Sequence, residues 1–185
     1  MENRLYTKYK EEVQQALLKE LKLANVMETP KIVKISVNAG IGGFRENREH
    51  VENFTQELAE ITSQKPFVRK ARLSEAGFKV RKGDEVGYAV TLRGAKMWAF
   101  LDKLISIVLP RVRDFRGMSR DSFDGKGNYS FGVREHVIFP EVNPNAVKGI
   151  RSLQVTIVMK DGNKEKNILL LEKLGFPFKK EKKVK

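Results

Sequence analysis

The stretch that decides how this chain is interpreted runs from Gln64 to Gly94 and reads QKPFVRKARLSEAGFKVRKGDEVGYAVTLRG. From Lys65 to Lys82 it is rich in lysine and arginine and contains a single acidic residue, Glu75. From Val86 to Arg93 it alternates between apolar residues and small or polar ones, which predicts a strand. A basic segment joined to such a strand is more typical of a nucleic-acid surface than of an enzyme cleft.

The two faces of this predicted strand differ in chemistry. The apolar face comprises Val86, Tyr88, Val90 and Leu92, and the opposite face comprises Gly87, Ala89, Thr91 and Arg93. We expect the apolar face to pack on the core. We expect the small and polar face to stay uncovered and to meet a hydrated, charged partner.

Composition limits the class of protein. The chain has 185 residues, 41% of them apolar and 32% charged, and this length suffices for one domain with a sizeable core. We predict a single domain over residues 1–178 followed by a basic tail over residues 179–185. The formal charge of +13 favours a polyanionic partner, with nucleic acid ahead of an acidic membrane surface.

The residues that metal or covalent chemistry would need are scarce. The chain has no cysteine, and His50 and His136 do not fit a zinc-ligand spacing. Asp114, Asp121 and Asp124 match no calcium-loop pattern, and arginines lie between them. No Gly-x-Ser-x-Gly elbow occurs. We therefore predict no metal, no cofactor and no enzymatic activity.

No signal-peptide core and no apolar run of membrane-spanning length occurs, so the expected location is cytoplasmic, with no membrane partner.

Periodicity along the chain predicts an α+β fold. A strand starting at Pro30 has Val33, Ile35 and Val37 on its apolar face and Lys34, Ser36 and Asn38 on its polar face. The other predicted elements are helices over 2–21, 47–62, 95–109 and 164–174 and strands over 66–70, 129–139 and 151–160. We expect one mixed or antiparallel sheet with helices on its apolar face and the other face open for RNA.

A glycine-rich segment, Gly40-Ile41-Gly42-Gly43, lies between a predicted strand and a predicted helix. That context fits a dinucleotide fingerprint, but the third glycine position holds Arg45 and the strand is half polar. No phosphate-loop Gly-Lys-Ser/Thr follows. A tight turn that uses the positive φ open to glycine is the better explanation.

The segment from Pro110 to Gly127 mixes arginines and aspartates and carries no clear periodicity. We expect Pro110 to end the preceding helix. Phe115, Met118 and Phe123 are expected to tether the segment to the body of the protein, and tethered loops of this length are commonly functional.

The RNA-recognition-motif signature is approached at residues 126–131 but fails at Asn128 and Tyr129. Recognition of a folded RNA through its backbone and shape therefore fits better than stacking of single-stranded bases.

Short strings spread over the whole chain resemble, in order, the ribosomal protein L-five family, the large-subunit proteins that bind 5S rRNA. The strings are NAGIG (38–42), QKP (64–66), AGFK (76–79), VTLRG (90–94), PRVRDFRG (110–117), SFDGKGNY (122–129), IFPE (138–141) and LGFPF (174–178). The resemblance implies a structural role in the large ribosomal subunit, seating 5S rRNA in the central protuberance. It also implies contacts with large-subunit rRNA, the P-site tRNA, neighbouring 5S rRNA-binding proteins and small-subunit protein S-thirteen.

Carried over by position, the resemblance assigns three groups of residues. The 5S rRNA group is Lys34, Ser36, Asn38, Gln64, Lys65, Arg69, Thr91 and Arg93. The group facing the P-site tRNA is Arg72, Ser74, Gly77, Phe78, Lys79, Arg81 and Lys82. The subunit-bridge group is Arg111, Arg113, Arg116, Arg120, Asp121 and Arg134.

Two other classes of function stay open at this point. A general RNA-binding protein or translational repressor outside the ribosome would carry the same basic surface and would bind many RNAs with similar affinity. A nucleotide-dependent enzyme would use the segment from Gly40 to Gly43 and would bind a nucleotide on its own.

Overall fold

The computed structural model describes residues 3–145, 147–160 and 162–179. These residues form a five-stranded antiparallel sheet with the strand order β2-β3-β1-β5-β4, accompanied by helices, which confirms the α+β prediction. The strands are β1 Ile32–Gly40, β2 Phe67–Lys70, β3 Glu85–Leu92, β4 Tyr129–Val133 and β5 Leu153–Met159.

Helices form in all four of the predicted places. They are α1 Arg4–Lys8, α2 Gln14–Glu20, α3 Arg48–Thr62, α4 Gly94–Lys103, α5 Leu109–Arg111 and α6 Lys164–Lys173. π-helical turns, Tyr9–Val13 and Leu104–Val108, join α1 to α2 and α4 to α5. The last helical residue is Arg111, one residue beyond Pro110.

The backbone divides into two compact units. The first takes its described residues from 1–35, 93–131 and 156–185, and the second from 36–92 and 132–155. A single domain over 1–178 stays a prediction. Of the predicted basic tail, residues 180–185 lie outside the described part of the chain, as does Asp161. No helix in the described ranges is long and apolar enough to cross a membrane.

The core of the first unit contains the chain's one tryptophan. The Trp98 ring lies 5.5 Å from the Tyr6 ring and 5.2 Å from the Tyr9 ring, measured between centroids, and only 6% of Trp98 is exposed. The Tyr9 hydroxyl donates to the Pro30 carbonyl oxygen at 3.1 Å. Trp98 is therefore a core residue, as its place on the apolar stripe of α4 predicts.

A second aromatic cluster in this unit holds the segment after α5. Tyr129 is fully buried between the rings of Phe123, Phe176 and Phe178, with centroids 4.7, 5.3 and 5.6 Å away. Burial raises the pKa of Tyr129 to about 12. Met118 pairs with Phe178 in a parallel β-bridge. The predicted tethering through Met118 and Phe123 is confirmed.

The core of the second unit is built on α3. Its inward residues Val51, Phe54, Leu58 and Ile61 are buried, as the helical spacing predicts. The Asn47 side chain accepts the His50 backbone N–H and caps the helix.

The strand predicted over 129–139 is too long, because His136 lies outside the sheet. β4 ends at Val133, and His136 opens a short 3₁₀ turn in which it is fully buried. Its Nε2 lies 3.0 Å from Glu57 Oε2, and the Arg151 backbone N–H donates to its Nδ1 at 3.0 Å. The imidazole can be buried because both of its ring nitrogens are hydrogen-bonded.

The faces of β1 follow the prediction only in part. Ile35 and Val37 are buried, but Val33 is 39% exposed, and Ile32 is buried instead at the start of the strand. Lys34, Ser36 and Asn38 are half-buried.

The predicted open face of β3 is partly covered. Gly87 and Ala89 are buried, because β3 is an inner strand with β2 on one side and β1 on the other. A Cβ atom placed on Gly87 would lie 2.6 Å from the Ala39 carbonyl oxygen, closer than real Cβ contacts allow. Only glycine permits this approach of β3 to β1.

We predict that Gly87→Ala lowers the free energy of unfolding by about 1–3 kcal/mol, because the new methyl group would push the two backbones apart. The matched control is Gly132→Ala in β4, where a Cβ meets nothing within 4 Å. That change is expected to leave the free energy unchanged or to raise it by up to about 1 kcal/mol. Urea denaturation of both variants measures the difference, and equal effects would contradict the steric account.

Candidate nucleic-acid interface

The exposed edge of the sheet carries an aromatic and a cationic side chain in contact. β2 is the end strand, and its register pairs Phe67 with Ala89 and Arg69 with Gly87, which puts these residues on the same side of the sheet. Phe67 is 44% exposed, and the guanidinium carbon of Arg69 lies 4.6 Å from the centroid of its ring. The pair offers a planar apolar surface and a positive charge at one place.

Polar side chains continue this face onto the neighbouring strands. The Ile41 backbone N–H donates to the Val86 carbonyl oxygen at 3.1 Å, just past the end of β1. Counting back along the antiparallel strands from this bond brings Ser36 opposite Thr91. Asn38 lies two residues from Ser36, on the same side of β1. These hydroxyl and amide groups form a polar strip beside the aromatic and cationic pair.

One of the predicted RNA-binding side chains is engaged within the protein. The Gln64 amide Nε2 donates to the Thr91 carbonyl oxygen at 3.3 Å, and Gln64 is half-buried. Its neighbour Lys65 is exposed. Gln64 thus ties the segment before β2 to β3, and Lys65 adds an exposed positive charge to that segment.

The structure brings most of the predicted 5S rRNA residues into one unit. The residues in the second unit are Ser36, Asn38, Gln64, Lys65, Arg69 and Thr91. Lys34 and Arg93 belong to the first unit, where Lys34 is half-buried and Arg93, the residue before α4, is exposed.

Residues 71–84, here called the basic arm, extend the β2–β3 hairpin. The Ala71 backbone N–H donates to the Asp84 carbonyl oxygen at 2.8 Å. Glu75 and Val80 exchange backbone hydrogen bonds of 2.8 and 3.1 Å around a 3₁₀ turn, Ala76–Phe78. The arm therefore has its own backbone hydrogen bonds and is not an open loop.

All of the predicted tRNA-facing residues lie exposed on this arm. They are Arg72, Ser74, Gly77, Phe78, Lys79, Arg81 and Lys82. The Ser74 hydroxyl accepts the Lys82 backbone N–H at 2.9 Å. Leu73 and Phe78 are 81% and 80% exposed, so the arm also presents apolar side chains. Leu73 was not among the predicted residues of this group, although it is exposed beside them.

The predicted subunit-bridge residues divide between exposed and engaged side chains. Arg111, Arg113, Arg116 and Asp121 are exposed in the first unit, and Arg134 is exposed in the second. Arg120 is half-buried: its Nη2 donates to Glu172 Oε1 at 2.5 Å, and its guanidinium lies over the Phe178 ring.

The glycine-rich segment forms a turn, but not for the expected reason. Gly40, Gly42 and Gly43 have open space where a Cβ would stand, and none of them has a positive φ. The prediction that they use the left-handed region is wrong. The turn is closed by backbone bonds, with Phe44 N–H donating to Ile41 and Asn47 N–H to Phe44, both at 3.0 Å.

A basic α+β protein with exposed cations on a sheet edge and on a projecting hairpin belongs to the class of proteins that contact nucleic acid. Comparison with known families agrees. Residues 25–81 match the model described as ribosomal protein L5, and residues 85–178 match the model described as the ribosomal L5P family C-terminus.

Similar proteins support the same assignment. The chain is 50% identical over 175 residues to the large ribosomal subunit protein uL5 of Thermotoga maritima, with 95% of each chain covered. It is 47% identical to uL5 of a Synechococcus species, covering 95% of this chain and 98% of that one. The chain belongs to the ribosomal protein L5 family, whose members are structural and not enzymatic.

We predict that Arg69→Ala weakens binding to a structured RNA and lowers the slope of log K against log salt by about 1, because one cation is lost. The matched control is Arg48→Ala on α3, where the arginine side chain is 94% exposed and is not one of the predicted 5S rRNA residues. Titrations at several salt concentrations measure both slopes. Equal losses for the two variants would show that any surface arginine contributes alike.

Proposed function

We propose that this protein, a structural constituent of the large ribosomal subunit, binds 5S rRNA and helps to seat it in the central protuberance. The observation that carries the proposal is the contact of Arg69 with the exposed Phe67 ring beside the polar strip of β1 and β3. The relatives named as large ribosomal subunit proteins support the assembly in which this face acts. Large-subunit rRNA and neighbouring 5S rRNA-binding proteins are the adjoining partners.

The chemistry of the face suits an RNA backbone. Ser36 and Thr91 hydroxyls and the Asn38 amide can hydrogen-bond to phosphate oxygens and 2′-hydroxyls, and Lys65 and Arg69 supply charge. Such contacts fix the position and orientation of a folded RNA without reading many base edges. The exposed Phe67 ring adds a surface on which an unpaired base or a ribose can pack.

The basic arm is the proposed contact with the P-site tRNA. Within residues 72–82 the acidic residue is Glu75, against the exposed cations Arg72, Lys79, Arg81 and Lys82. A projecting hairpin with this charge can reach a phosphate backbone that the sheet face does not touch. Its proposed target is the elbow of the tRNA.

The region from Arg111 to Asn128 is the proposed bridge to the small-subunit head, with protein S-thirteen as the partner. Arg111, Arg113 and Arg116 are exposed there next to Asp114 and Asp121. A surface that carries both signs of charge suits a protein partner, because complementary charges then fix the orientation of the two surfaces. Arg134, in the other unit, is the remaining proposed bridge residue.

The proposed site is tested by binding of 5S rRNA and of an unrelated structured RNA of equal length across a salt series. We expect Thr91→Ala/Arg93→Ala to weaken binding of 5S rRNA by at least about tenfold, since a lost charged hydrogen bond alone is worth roughly that. The matched control on α3 is Thr55→Ala/Arg48→Ala, which removes the same side-chain chemistry and should leave binding near the wild-type level.

The second RNA separates the ribosomal role from the alternative. Specific recognition predicts much weaker binding of the unrelated RNA at physiological salt. If both RNAs bind alike, with a steep salt dependence and no effect of either double variant, charge alone explains binding. The protein would then be a general RNA-binding protein or a translational repressor.

A further inference from the structure

Arg45, which follows the glycine-rich turn, reaches across to the basic arm. Its Nη2 donates to the Lys79 carbonyl oxygen, and its Nη1 lies 3.7 Å from Asp84 Oδ2. Only 20% of the Arg45 side chain is exposed. This guanidinium therefore contacts groups within the protein and is not available to an RNA phosphate.

The two groups that Arg45 contacts lie at the tip and at the base of the arm. Lys79 directly follows the 3₁₀ turn at the tip and has a φ of 51°, an uncommon left-handed conformation for lysine. Asp84 lies at the base, where its Oδ2 also accepts the Arg81 backbone N–H at 2.9 Å. The Arg45 guanidinium thus contacts both ends of the segment from Lys79 to Asp84, which leads from the tip of the arm back to β3.

The side of the turn from which Arg45 projects is itself fixed. Phe44 packs edge-to-face on Phe54 of the buried core, with ring centroids 5.7 Å apart, and the Arg151 guanidinium lies 3.7 Å from the Phe44 centroid. The residue before Arg45 is therefore in contact with both Phe54 and Arg151. Arg45 extends from a rigid base to a segment that has little burial of its own.

The arm needs such support because its own contacts are few. Residues 72–79 are all exposed, and an isolated two-stranded hairpin is only marginally stable in water. A charge-assisted hydrogen bond is stronger than the neutral hydrogen bonds within the arm. Removing it would let the arm sample many conformations, and binding would then have to order it again.

We infer that Arg45 is a positioning residue that holds the basic arm in one conformation, ready for RNA. Its role in ordering the arm is argued from its contacts with Lys79 and Asp84 and does not depend on RNA. Its effect on RNA binding rests on the proposed function of the arm as a tRNA contact. The glycine-rich turn resembles a nucleotide-binding motif in sequence, and its role here is to position Arg45.

Hydrogen exchange tests the ordering without any RNA. In Arg45→Gln we expect the Glu75 and Val80 amides to exchange at least about tenfold faster than in the wild type, because the opening of a locally stabilised segment sets their rate. Arg48→Gln, an equal charge change on α3, should leave these amides unaffected. Arg45→Lys keeps one donor and should restore part of the protection. Unchanged exchange in Arg45→Gln would overturn the inference.

A double-mutant cycle of tRNA binding tests whether the ordering of the arm by Arg45 affects RNA binding. Large ribosomal subunits that carry the variant proteins are titrated with tRNA, and Arg45→Gln is expected to weaken binding severalfold. Combined with Arg72→Ala/Lys82→Ala, which removes two of the four exposed cations of the arm, it should add less than its separate loss, because both changes act through the arm. Additive losses would overturn positioning through the arm.

The two readouts keep the two proposals apart. If Arg72→Ala/Lys82→Ala alone leaves tRNA binding at the wild-type level, the proposed function of the arm is wrong. Hydrogen exchange then decides alone whether Arg45 orders the arm.

Discussion

The close approach of β3 to β1 at Gly87 is the constraint on which the proposed RNA surface depends. No side chain fits between Gly87 and the Ala39 carbonyl oxygen, so the strands meet in one register. That register turns Tyr88, Val90 and Leu92 inward, where all of them are buried. It leaves Thr91 on the other face, together with Phe67 and Arg69 of β2. A slip of one residue would exchange the two faces and bury the polar strip.

The same hairpin connects the sheet face to the basic arm, so one structural unit carries both of the proposed RNA contacts. The sheet face is broad and built from short polar side chains, whereas the arm is narrow and carries long cations around the apolar tips of Leu73 and Phe78. A rigid face suits an RNA that stays bound, and a projecting arm suits an RNA that binds transiently. The residues of the arm are exposed, but the contacts of Arg45 with Lys79 and Asp84 can hold the arm in one conformation.

The spacing of apolar residues predicted most helices and strands. The features that it did not predict depend on contacts between residues that are far apart in the sequence. The inward residues of α3 and the alternation of β5 follow from periods of 3.6 and 2, which are visible in the sequence. The burial of Gly87 depends on which strands flank β3, and alternation within one strand does not carry that information. The contact of Arg45 with Lys79 joins residues 34 positions apart and has no local signal. The family resemblance supplied the ribosomal assignment, which charge and periodicity could not.

The central claim, that one face of this sheet meets 5S rRNA, is tested most directly by thiol protection. The chain has no cysteine, so single substitutions give unambiguous probes. Ser36→Cys places a thiol in the polar strip with little change in size, and Glu52→Cys places one on α3, where the Glu52 side chain is 73% exposed. We predict that 5S rRNA slows modification of the first thiol at least about tenfold, as burial of the site in the complex requires, and leaves the second unchanged. Protection of the α3 thiol with no protection at Ser36 would contradict the account.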